Sequence, residues 1–111
     1  METAMVSDLN ALSEALLAEA RDSKHGKASH SLVHGDRQTV TLIALLAGQA
    51  LGEHNAPPAA TLQVLRGRAV LHADGEATEL TAGHLAPIPP QRHDLAADED
   101  TVALLTVSLD A

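Results

Sequence analysis

Polar and apolar positions change their period along this chain. Between Ser7 and Arg21, "SDLNALSEALLAEAR" sets Leu9, Leu12 and Leu16 at i, i+3 and i+7, with Leu17 and Ala20 widening the stripe. The spacing predicts a helix over 7–21, with Ser7 as its cap, Asp8 at its positive end and Arg21 beside its last carbonyls. Its polar face is not basic, so the stripe is expected to lie on a sheet rather than on a membrane surface. Residues 22–37 are polar, hold His25, His30 and His34, and read as a solvated connector. Beyond them the period shortens. "RQTVTLIALLAG", "TLQVLRG", "HLAPIPP" and "TVALLTVSL" are strand-like runs bounded by glycine and proline. "GRAVLHADGEATEL" reads as a hairpin turning on Asp74-Gly75, because both residues accept positive φ. In "GEHNAPPAATLQVLRG", His54 is expected in a turn, and the prolines after it cannot join a central strand. Short, evenly spaced strands with no helices between them favour a sandwich or barrel over a βαβ sheet. The expected organisation is one structural domain in two parts, a helix with its polar connector over 1–37 and an all-β barrel over 38–111.

Composition sharpens this picture in three ways. The 111 residues suffice for one modest core, but Phe, Trp and Tyr are absent, so the core must rest on Ala, Leu and Val. Such a core is small, and a homodimer is expected to supplement it. A net charge of -8, with only seven scattered Lys and Arg, argues against nucleic acid, and the missing aromatics remove base-stacking platforms. The absence of cysteine excludes disulfides, thiolate metal sites and thiol nucleophiles. No apolar run reaches the length of a membrane span and no signal-like segment opens the chain, so no membrane partner and a cytoplasmic location are expected.

The candidate chemistry lies in two groups of residues. Gly48 is followed after five residues by His54, and Gly67 closes the strand that begins near Ala60; later, Gly83 is followed after five residues by Pro89, with His93 shortly beyond. Over residues 39–109 this frame resembles the two sequence motifs of the cupins, small jelly-roll β-barrels of the RmlC-like type. The runs "EH…P…ATLQVLRGRA" and "IPP…RH" are similar to small single-domain cupins. The resemblance implies a first motif with two histidines one residue apart and a glutamate seven residues before the closing glycine, and a second motif with one more histidine. Carried over, His54 matches the first histidine and His93 that of the second motif. Ala56 stands at the second histidine and Ala60 at the glutamate, Gln91 replaces a usual glycine, and the turn before His93 is one residue shorter.

These replacements bear on the chemistry. A first-row metal centre open to substrate wants three or four N/O ligands, and an alanine methyl supplies none. His54 and His93 are therefore candidate metal ligands in an incomplete site, with a divalent ion as the cofactor the resemblance implies. Without metal they are candidate pocket residues able to hydrogen-bond an acidic or hydroxylated small molecule, or to move a proton. Glu53, beside His54, and Gln63 join them as pocket candidates, although strand alternation sets Gln63 on the face opposite Ala60. Alternation likewise turns His72 outward, and the acidic run Asp98–Asp100 reads as a solvated loop. Three functions are open to such a chain: a cupin binding a small molecule in its barrel, a metal-dependent enzyme of dioxygenase or isomerase type, and a non-catalytic interaction or regulatory protein. The intact frame with alanine at two of four ligand positions favours the first.

Overall fold

The computed structural model describes residues 6–54, 59–88 and 92–109. One helix, α1 (Leu9–Asp22), precedes nine strands. In chain order these are β1 (Lys27–His34), β2 (Gln38–Leu45), β3 (Ala50–His54), β4 (Ala59–Arg66), β5 (Arg68–Ala73), β6 (Glu76–Thr81), β7 (Leu85–Pro87), β8 (His93–Ala97) and β9 (Thr101–Ser108). They form two antiparallel sheets facing each other, ordered β1-β2-β9-β4-β7 and β3-β8-β5-β6.

The expected helix is present one residue later than its pattern suggested. Asp8, not Ser7, is the cap, its carboxylate accepting from the amides of Asn10 and Ala11 at 3.1 Å each. Both residue types cap well, and the carboxylate also meets the positive end of the helix. The stripe buries Leu16, Leu17 and Ala20 against Leu42, Ala44 and Val102. The guanidinium of Arg66 on β4 fastens the helix from the side, pairing with Glu14 and donating to the Asn10 carbonyl at 3.2 Å.

The same β2 and β9 strands supply the second core. Ile43 and Leu45 on β2 and Ala103 on β9 point the other way and pack with Leu62, Val64, Leu71 and Leu95 between the sheets. This two-sided burial is why "TLIALL" and "TVALL" read as nearly unbroken apolar runs: even positions of β2 face the helix and odd positions face the barrel.

The polar connector expected over 22–37 is a correction. Lys27–His34 is a strand paired with β2 along its length, carrying His30 and His34, and only His25 precedes it. It lies at the sheet edge with a register irregularity between Ser31 and Val33, so only Ala28 and Leu32 are half-buried and no clean alternation shows. The Asp74-Gly75 hairpin forms as expected, with φ of 52° and 75°.

The acidic loop is more than solvated surface. Asp100 accepts from the Ala47 amide at 2.9 Å and lies 3.5 Å from the Arg21 guanidinium, tying the β2–β3 turn to the end of α1. Asp98 pairs with Arg68 Nε at 3.4 Å, a charge contact without hydrogen-bond alignment. Gly67 passes under this loop at φ +84°, where an added Cβ would stand 2.2 Å from the Asp100 carbonyl oxygen. Only glycine fits there without backbone movement.

Candidate functional site

A partly open cavity of about 270 Å³ lies within the barrel beside His93. Its wall is assembled from most of the strands: Ile43, Leu51, Leu62, Leu71, Leu95 and Leu105 form the aliphatic body, with Ile88 and Val107 completing it. All but Ile88, which follows β7, arrive by strand alternation, which sends every second residue inward. Ala60 lines the cavity too, at the position where the resemblance expects a glutamate, so a methyl stands where a carboxylate would point. Among the described lining residues, His93 alone carries a polar side chain.

Backbone register brings the two sequence-predicted histidines together. His54 ends β3 and His93 begins β8, and the two residues are direct partners across the β3–β8 ladder, rather than His54 sitting in a turn. The ladder reaches this pairing through an irregularity between Leu51 and His54: β3 takes three steps where β8 takes two from Leu95 to His93. An extra residue of this kind bends the strand and re-aims the residues beyond it. His93 itself is half-buried.

The other predicted residues divide. Glu53 lies in β3 immediately before His54. Gln63 is half-buried on β4 between inward Leu62 and Val64, opposite Leu104, which packs on the helix side. The structure thus sets Gln63 on the outer face, as alternation implied, and away from the cavity lining. Ala56 and Gln91 fall outside the described residues. His72 faces outward and meets Asp94 across β5–β8, Nδ1 to Oδ1 at 2.6 Å. His84 is exposed in the turn after β6, its Nδ1 accepting from the Thr81 amide at 3.0 Å. Leu51 and Ile88 are wall residues that sequence reasoning did not single out. Leu51 sits in a five-residue strand interrupted by Gly52, and its only available signal was a possible pairing with Leu95.

Comparison with known proteins places this geometry. No protein-family model and no curated protein sequence matches the chain. Solved structures do. A conserved protein of unknown function from Streptococcus pyogenes superposes with a TM-score of 0.76 at 26% identity, covering 100% of this chain and 92% of that one. A cupin superfamily protein from Desulfitobacterium hafniense gives 0.72 at 21% identity over 76% of this chain and 78% of its own. This is a small cupin-fold protein. Salicylate 1,2-dioxygenase from Pseudaminobacter salicylatoxidans shares the cupin fold as well, with a TM-score of 0.74 at 18% identity, over 87% of this chain but only 33% of the dioxygenase.

A cupin barrel raises the question of a metal, and the donors answer for the described residues. The register offers two imidazole-bearing positions, Ala60 offers no oxygen, and among the described residues no three His, Asp or Glu side chains gather closely enough to hold an ion. Stable first-row centres take at least three protein donors. No such set is assembled among the described residues. Among the described residues, no helix is long and apolar enough to cross a membrane.

Proposed function

We propose that this cupin binds a small, mainly apolar molecule in its barrel cavity without a complete metal centre. The observation that carries the reading is the cavity of about 270 Å³, lined by aliphatic side chains with His93 as its polar point among the described residues. Ligand sites combine a largely apolar wall with a few polar groups that fix orientation, and an apolar space of this kind favours an apolar guest over water. Ala60 contributes by being small: a longer side chain there would occupy the volume. The test is a methyl-NMR titration with 1-octanol. Shifts are expected at Ile43, Leu62 and Leu105, and Ala60→Leu should suppress them while preserving the remaining spectrum. Wild-type methyls that stay still, or an Ala60→Leu variant that binds as well, would refute the reading.

The pairing of His54 with His93 supports a second reading, a metal-dependent cupin enzyme of dioxygenase or isomerase type using these two residues and an unidentified further ligand. Metal analysis of untagged protein separates the two. Near-stoichiometric metal lost from both His54→Ala and His93→Ala would favour the enzyme, whereas protein that refuses added iron, manganese, nickel and zinc would favour the binding protein. A homodimer located in the cytoplasm completes the proposal, the dimer supported by the aromatic-free core of a 111-residue chain. Sedimentation giving a monomer mass at all concentrations would remove the dimer.

A further inference from the structure

We infer that the cavity's ligand is amphipathic, an apolar body bearing one carboxylate, and that Lys27 on the edge strand meets the carboxylate. The inference rests on the barrel being a small-molecule site, and goes further in naming the ligand class. A second recess of about 420 Å³ adjoins the first cavity, with Ile43, Leu51 and Leu105 bordering both. Leu51 belongs to β3 and the outer lining, Lys27 and Ser29, belongs to β1, so the recess lies where the edges of the two sheets approach. The register fixes which way those residues face. Lys27 pairs with Leu45 and Ser29 with Ile43, both of them barrel-side residues, and directly opposed residues share a face.

The charges lining these two adjoining spaces run against the rest of the molecule. The chain has fifteen Asp and Glu against seven Lys and Arg. Yet among the described lining residues of both spaces there is no carboxylate, and Lys27 is the sole Lys or Arg. Lys27 forms no ion pair among the described residues. Its stem can lie along the apolar recess while the ammonium stays at the solvent side, where it acts as a point charge for a single anionic group. Thr41 and Ser29 line the same recess, and a hydroxyl of this kind can donate to a carboxylate's second oxygen. An apolar body in the first cavity would thus reach, past Ile43 and Leu105, a lip that is cationic and hydroxyl-bearing.

The experiment compares octanoate with 1-octanol by calorimetry at low salt, on wild type, Lys27→Gln, Lys27→Arg and His93→Gln. Octanoate is expected to bind about threefold to fivefold more tightly than octanol, the scale of a solvent-exposed charge pair. Lys27→Gln should bring the ratio to about one without weakening octanol, Lys27→Arg should keep it, and His93→Gln should keep it too. Equal affinities in wild type would overturn the carboxylate inference and leave the apolar site standing. A preference that survives Lys27→Gln, or that vanishes only in His93→Gln, would overturn the assignment to Lys27. Failure of both ligands to bind would overturn the inference together with the binding reading beneath it.

Discussion

The two sides of the β2–β9 sheet are built from the same few residue types and end differently. On the outer side, Leu42, Ala44 and Val102 meet Leu16, Leu17 and Ala20 of the helix and are sealed from solvent. On the inner side, Ile43, Leu105 and Val107 meet the second sheet across a cavity that their side chains do not fill. Residue chemistry alone does not separate the sides. What separates them is how the opposing element arrives: a helix settles on a sheet as one rigid stripe, whereas two twisted sheets joined at their ends leave space where facing residues are small, as at Ala60. The helix side is therefore sealed throughout, whereas the barrel side combines its own buried core with the space for binding.

That division can be broken by substitution. Leu42→Ala should be the most damaging, costing about 3 kcal/mol in denaturant unfolding, because a fully buried side chain leaves a void that the helix cannot fill. A cost under about 1 kcal/mol would mean the helix side is not the packed one. Leu105→Ala should cost less, about 1.5 kcal/mol, since that half-buried side chain already borders open space, and it should weaken 1-octanol binding. Asp8→Ala removes two hydrogen bonds at the helix start and should cost about 1 kcal/mol, with 1-octanol affinity unchanged. Ala60→Leu should change stability least, within about 0.5 kcal/mol, while abolishing binding. If Ala60→Leu instead unfolds the protein, the cavity is tighter than its walls indicate.

Some of this architecture is legible in the sequence alone. The Asp74-Gly75 hairpin is, because both residues carry their own backbone preference and depend little on neighbours. The strands β2 and β9 are, because two-sided burial makes apolar runs too long to overlook. Strand β1 is not: an edge strand is constrained by one neighbour, its exposed residues are free to be polar, and its irregular register erases the remaining alternation. The helix start slips by one residue because Ser7 and Asp8 are similarly good caps, and nothing local in the sequence chooses between them. At the site, family resemblance points to His54 and His93, but their cross-strand pairing depends on the extra residue in β3, whose one local signal is Gly52 inside the strand. The aliphatic wall is still less visible, since its members come from strands scattered over the whole chain and resemble any other core residues.

The two-sided character of β2 also sets where this chain can gain or lose residues. Deleting one residue inside Gln38–Leu45 would rotate every later position to the opposite face, carrying barrel residues to the helix and helix residues to the barrel. Both cores would be mispacked by one event, with no intermediate register that satisfies either. In β1 the same deletion meets a ladder already stepped between Ser31 and Val33, with few buried side chains to misplace. Length variation among descendants of this chain should therefore collect in the edge strand and leave β2 untouched.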